Sequence, residues 1–233
     1  MSAADPAPQD GAAATTPRRR EPLDRRRILT AALRIVDEHG LSELSMRRLG
    51  ADLGVQAMSL YRHLPNKQAV VEGVRDLIFE ELARMRPAAP ADEPWDAALV
   101  AMATAFRATC RRHPHALALF ATDVDRAYAA AAAFYEPVLA SLVRGGFTPD
   151  ESAEAVRIVT RYVLSSELLT VAVTTLRHPL TEEEIERLGD ERPIVGTLVR
   201  SLWTRPPDTL EDPGLTLIVD GLRVRREAGA SPR

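Results

Sequence analysis

A chain of 233 residues in which 45% of the side chains are hydrophobic buries a real core, so disorder throughout is excluded, and the length allows one large domain or two modest ones. No apolar run approaches the roughly 18 residues that a membrane helix needs, and the opening MSAADPAPQDGAAATTPRRR lacks the apolar stretch of a secretory leader; the expected setting is therefore soluble and cytoplasmic, with no membrane partner. Cys110 is the single cysteine, which rules out an intrachain disulfide and a thiolate metal cluster, while the net charge of −3 hides eleven Arg and Lys against six Asp and Glu between Arg18 and Lys67, a balance of +5 that leaves −8 for the remainder.

Residues 1–22 carry almost nothing large and apolar and are expected to form a disordered arm. From Leu23 onward the apolar residues recur at three and four, with no sustained alternation, so the predicted class is all-α. Asp24 caps a first helix that runs to His39 and stops at Gly40, with Leu23 and Ile28 placed as a hydrophobic staple. Ser45, flanked by Leu44 and Leu49, repeats the arrangement for a short second helix ending near Gly54. A third short helix over Gln56 to His63 is stopped by Pro65, and Asn66 caps a fourth that reaches about Arg84. These elements, residues 23–85, make one compact module, and the proline-rich stretch 86–93 reads as a linker.

A larger helical unit is expected over 94–227, before a short tail at 228–233. Pro94 opens a helix to about Arg112, His113-Pro114-His115 breaks it, and an alanine-rich helix covers about Asp123 to Arg144. Thr148-Pro149-Asp150-Glu151 is a capping box with proline at the first helical position; it launches the longest apolar helix, to about Thr175. Thr181 and Glu184 form another box for a short acidic helix, and the last helix lies within Pro213 to Arg226.

The segment SMRRLGADLGVQAMSLYRHLPNK carries most of the information. Leu49, Leu53, Val55, Leu60 and Leu64 supply the buried face of two short helices, and Gly54 sits where the turn between them needs a positive backbone angle. That pattern is a helix-turn-helix. Its second helix turns Ala57, Met58, Ser59, Tyr61 and Arg62 outward, a mixture suited to the major groove of duplex DNA. Arg47, Tyr61, His63 and Lys67 are donors able to hold phosphate oxygens, Arg62 could read guanine, and Met58 and Ala57 could touch thymine methyls. A packing aromatic for Tyr61 and a surface or capping histidine for His63 are the alternatives.

The stretch ILTAALRIVDEHGLSELSMRRLGADLGVQAMSLYRHLPNKQAVVEG, with its L-Y-R-H-x-x-N-K run, resembles the DNA-binding head of the TetR-type repressors. The resemblance implies a three-helix head that uses Met46, Arg47, Ala57, Met58, Ser59, Tyr61, Arg62, His63 and Lys67 at an operator. Gly50 departs from the family, which usually has alanine there, at a cost to the helix of up to about 1 kcal/mol.

More loosely, the segment from Trp95 through G-F-T-P-D to the final GLTLIVDGL is similar to the C-terminal domain of the tetracycline-sensing members of that family. What this implies is a homodimer joined through the long helix and the last helix, here at Val156, Val163, Leu164, Leu168, Leu215, Ile218 and Leu222, a buried monomer core being the alternative use of the same residues. The same resemblance places a small-molecule pocket near Met102, Phe106, Phe120, Phe134 and Tyr135. Met102 stands where those members use a polar amide and Phe120 where they use a magnesium-binding histidine, which argues against a magnesium–tetracycline chelate and for an apolar effector. A plain hydrophobic core accounts for the five residues equally well. No cofactor or metal is implied.

The expected function is a ligand-responsive transcription regulator, a repressor released from a palindromic operator by a small molecule. A helical adaptor that binds protein and not DNA is the rival class. An all-α enzyme is disfavoured, because among five histidines only His113 and His115 are neighbours, and they lie on different helix faces.

Overall fold

The structure is a computed structural model, and it describes residues 22–85, 90, 92–121, 131–176, 180–204 and 212–229. The arm at 1–21, most of the linker, the first half of the alanine-rich helix and the end of the tail lie outside the described residues. Among those described the chain is helical without strands: α1 (Arg25–His39), α2 (Met46–Leu53), α3 (Ala57–Tyr61), α4 (Lys67–Met85), α5 (Trp95–Arg112), α6 (Ala118–Ala121), α7 (Ala132–Arg144), α8 (Pro149–Leu176), α9 (Glu182–Glu191), α10 (Pro193–Thr204) and α11 (Pro213–Gly229). Short 3-10 turns at Leu41–Glu43 and Pro114–Ala116 join α1 to α2 and α5 to α6.

The helices begin where their caps place them. Asp24 Oδ1 accepts the Arg27 amide at 2.8 Å, Thr148 and Glu151 bond reciprocally at the start of α8, and Thr181 and Glu184 do the same at α9. These bonds hold the Glu151 and Glu184 carboxyls below the ordinary carboxylate value, chiefly through the backbone amides of Thr148 and Thr181. In the N-terminal head, Ile28, Ala32, Ile35 and Val36 of α1 lock against Val70, Val74 and Ile78 of α4, all buried. In the body, α5 is the central helix: Leu99, Met102, Phe106 and Cys110 point into a core closed by α7 and α8. Burial pushes the Cys110 thiol up to about 12. Trp95 packs edge-to-face on Phe147, centroids 4.9 Å apart, and so ties the start of α5 to the turn before α8.

α4 belongs to both halves, since its first turns pack on α1 and its later ones on α5, α6 and α7. A helix over 193–204 is absent from the sequence-based expectation. Gly196 stands in its first turn, where a Cβ would lie 2.5 Å from Gly189 Cα, so the glycine lets α10 lie directly on α9.

Charged side chains staple α11 to this frame. Arg107 on α5 pairs with Asp212 before α11 and lies 3.2 Å from Glu167 on α8, which also meets Arg111 at 3.2 Å. Asp212 further accepts the Tyr162 hydroxyl at 2.5 Å and the Leu215 amide at 3.1 Å. Burial pushes the Asp212 carboxyl up, but these donors and Arg107 outweigh it and hold the group below 3.8. The stabilisation is thus complete above that value and drains as the pH falls below it, because the unfolded chain takes up the proton first. Asp212→Asn is expected to cost about 1.5–3 kcal/mol in urea unfolding at pH 7, since Arg107 keeps Glu167 but loses its second carboxylate. The deficit against the native chain should shrink as the pH falls through the acid range; a deficit that grows there would refute this account.

Candidate nucleic-acid interface

Two short helices and a tight turn form the exposed end of the head. Ser45 Oγ accepts the Arg48 amide at 3.2 Å to start α2, and Gly54 ends it in the left-handed conformation, φ 66° and ψ 33°, its amide bonding Ala51 O. The Val55 amide then returns to Gly50 O at 2.9 Å. A Cβ at Gly50 would lie 2.9 Å from Val55 O and 3.2 Å from Ala57 N. The missing methyl therefore seats α2 directly on the turn that launches α3, and an alanine requires that turn to give by a few tenths of an ångström.

α3 is shorter than the expected span of 56–63. Leu64 must enter the core ahead of Pro65, so after Tyr61 the backbone tightens, with the His63 and Leu64 amides both bonding Leu60 O at 2.9 Å. Leu60 and Leu64 are fully buried, against Leu49 at 0% and Leu44 at 2% exposure. The opposite face is open: Met58 is 72% exposed and Tyr61 43%, Arg62 and His63 are exposed, and Ala57 and Ser59 are half-buried. Asn66 Oδ1 accepts the Ala69 amide at 2.8 Å to start α4, leaving Lys67 exposed in its first turn. Met46, expected at the DNA, instead turns inward beside Leu44 and Leu49 in sequence and is only 9% exposed, because it follows the cap on the core side of α2.

Some of the head's cations are held by its own carboxylates. Arg34 is tied to Asp52 at 2.6 Å, Arg48 to Glu43 at 2.8 Å, and Arg26 to Glu80 at 3.2 Å. Among the described residues Arg47, Arg62 and Lys67 have no ion-pair partner, and all three are exposed. Together with Tyr61 and His63 they form a donor surface around α3 that internal chemistry does not use. Donors of this kind can hold phosphate oxygens.

Residues 28–74 match the family model of bacterial regulatory proteins, tetR family, and residues 86–226 match that of the tetracyclin repressor-like C-terminal domain. The chain belongs to the tetR family. It is 32% identical to an HTH-type transcriptional regulator of Saccharopolyspora erythraea, over 80% of this chain and 72% of that protein. The HTH-type transcriptional repressor DrrR1 of Streptomyces coeruleorubidus is 34% identical over 69% of this chain, which spans 55% of DrrR1's length. The fold is that of the Streptomyces coelicolor TetR family protein ActR, solved in complex with (S)-DNPA: TM-score 0.72 at 22% identity, covering 88% of this chain and 99% of that one.

In this tetR-family chain the five residues expected around a ligand are all buried, Met102 at 1%, Phe106 and Phe134 at 2%, Phe120 and Tyr135 at 6%. Three rings form a chain across helices: Phe79 of α4 meets Phe120 of α6 edge-to-face at 5.3 Å, and Phe120 meets Phe106 of α5 at 5.6 Å. A hollow of about 210 Å³ lies beside Tyr135, between Leu139, Ala153, Val156 and Arg157.

Of the residues expected at a dimer interface, Val156 at 3%, Val163 at 0% and Leu215 at 5% exposure are already spent on the chain's own core and have no surface left to offer a partner. Leu164, Ile218 and Leu222 are half-buried and Leu168 is 36% exposed. Leu217, in the final GLTLIVDGL, stands 73% exposed, and sequence reasoning passed over Ile158, Leu169 and Val224 as interface candidates; these open apolar side chains, at 40%, 64% and 66% exposure, lie on the same two helices, α8 and α11.

The two faces of α3 make opposite demands. Leu60→Ala should destabilise the chain by about 2–5 kcal/mol in denaturant unfolding, whereas Met58→Ala should stay within about 0.5 kcal/mol of the native chain. A large cost for Met58→Ala would place that side chain inside the fold and overturn the orientation.

Proposed function

We propose that the chain is a homodimeric, ligand-responsive repressor that grips a palindromic DNA operator and lets go when a small apolar molecule binds its body. The observation that carries this is the uncommitted outer face of α3, where Met58, Tyr61 and Arg62 project from a helix whose leucines anchor it. On this reading Arg62 reads a base while Arg47, Tyr61, His63 and Lys67 hold phosphates, with Ala57, Met58 and Ser59 against base edges. Residues 23–85 act as the DNA-binding unit and 94–227 as the sensing and dimerising unit. DrrR1, named a repressor, supports the sign of regulation, and ActR, solved with a bound small molecule, supports a ligand in the body.

The open apolar side chains of α8 and α11 support pairing with a second copy across a two-fold axis, with Leu164, Leu168, Ile218 and Leu222 at its margins. An effector lodged among Met102, Phe106, Phe120, Phe134 and Tyr135 has to displace rings, and the Phe106–Phe120–Phe79 chain carries that displacement to α4 and so to the head. Its effect on DNA follows from binding one arrangement of the heads better than the other. The molecule acts by binding and not by catalysis: the body's Arg107, Arg111, Glu167 and Asp212 are committed to one another. No helix among the described residues is long and apolar enough to cross a membrane, in keeping with a cytoplasmic regulator.

Selection of bound duplexes from a random pool tests the reading directly. A two-fold related site should emerge, with affinity that falls steeply with salt. Arg62→Ala should relax preference at one position by about 1–3 kcal/mol, and Arg47→Ala should weaken all sequences alike while reducing the salt slope by about 1. Failure to retain any duplex at low ionic strength, or a monomer by light scattering at micromolar concentration, would refute it and favour an adaptor.

Thermal-shift screening addresses the effector. Apolar compounds should stabilise the folded chain, by about 2.7 kcal/mol at a hundredfold excess over Kd, and release it from the selected duplex. Stabilisation by metal chelates alone would contradict the apolar pocket.

A further inference from the structure

The head meets the body at a buried histidine. His113 follows the last residue of α5, where the chain bends into Pro114–Ala116, and is only 5% exposed. Its Nδ1 lies 3.0 and 2.9 Å from the two carboxylate oxygens of Asp37, in the last turn of α1. Its Nε2 lies 3.3 Å from Glu81 Oε2 on α4, and the adjacent Arg112 pairs with the same Glu81. Two helices of the head region and one of the body therefore converge on one ring.

The chemistry of the ring makes this contact more than packing. A carboxylate only accepts, so a ring nitrogen that bonds one must donate, and His113 stands with one nitrogen facing each of two carboxylates. Bonds to a carboxylate are short and directional, and loss of the ring leaves a partly covered carboxylate without its donor. α1 has no nearby tie to the body along the chain, since Asp37 and His113 are 76 residues apart. Yet α1 packs on α2 and α4, so the aim of α3 follows the tilt of α1.

We propose that His113 is a positioning residue that fixes the angle between head and body, and through it the half-site spacing that the dimer accepts. The inference rests on the regulator reading above but does not involve the effector. Half-site spacing is set by where the two recognition helices stand, and a single added base pair moves a half-site by about 3.4 Å and turns it by about a tenth of a helical turn. A head held by Asp37 and Glu81 at one angle rejects that change; a head released from the ring tolerates it.

The test uses the full chain and duplexes carrying the selected half-sites at the selected spacing, one base pair longer and one shorter, together with a duplex bearing one half-site. The native chain should discriminate among spacings by about tenfold or more, equivalent to about 1.4 kcal/mol. His113→Gln should bring the three spacings to within about threefold while single half-site binding and helical circular dichroism remain, and Asp37→Asn should reproduce it with nothing further lost in the double variant. Should His113→Gln fail to fold, Asp37→Asn decides alone, because its side chain lies at the edge of the contact and keeps its shape. Unchanged discrimination in the folded variants overturns the proposal. A native chain that binds no duplex overturns the regulator reading instead.

Discussion

α3 has five residues, too few to hold a helix by its own hydrogen bonds, so it exists only because Leu60 and Leu64 are drawn into the core against Leu44 and Leu49. Each of these side chains brings roughly 1.5–3 kcal/mol of burial to a segment that would otherwise be a loop. The consequence is a division of the helix into an anchored side and a free side. Because the anchor is fully covered, Met58, Tyr61 and Arg62 project at fixed positions from a rigid base, which is what reading a groove requires.

Charge is partitioned in the same way. Arg26, Arg34 and Arg48 are held by carboxylates of the head itself and contribute to its shape, whereas Arg47, Arg62 and Lys67 stay open around α3. In the body, Arg107 and Arg111 are drawn inward onto Glu167 and Asp212, where desolvation offsets much of the attraction; such a cluster specifies where α11 docks more than it adds stability. The part of the basic surplus carried by Arg47, Arg62 and Lys67 is thus a local feature around α3.

Much of this was legible in the sequence because the signals are local. Asp24, Ser45, Asn66, Thr148 and Thr181 announce helix starts through contacts three residues away, and the helices begin where those caps stand. The leucine spacing likewise identified the covered face of α2 and α3. Periodicity reports that a residue is covered, however, and not by what. Val156, Val163 and Leu215 look the same in the sequence whether a partner or their own chain covers them, and Met46 differs from an outward residue only by the phase of one turn after the cap. α10 was not foreseen, and Gly196 bears no local sign of its close approach to Gly189 across the helix hairpin. His113 was read only as one of two neighbouring histidines, since its partners lie 76 and 32 residues away.

The lone thiol at Cys110 sits on the central helix of the body with no exposure and is kept protonated far above neutrality. A maleimide or disulfide reagent can therefore meet it only during excursions in which α5 parts from its neighbours. The molecule carries its own clock for breathing of the body: labelling rate at this one atom reports how often that core opens, and anything that occupies or braces it will slow the count.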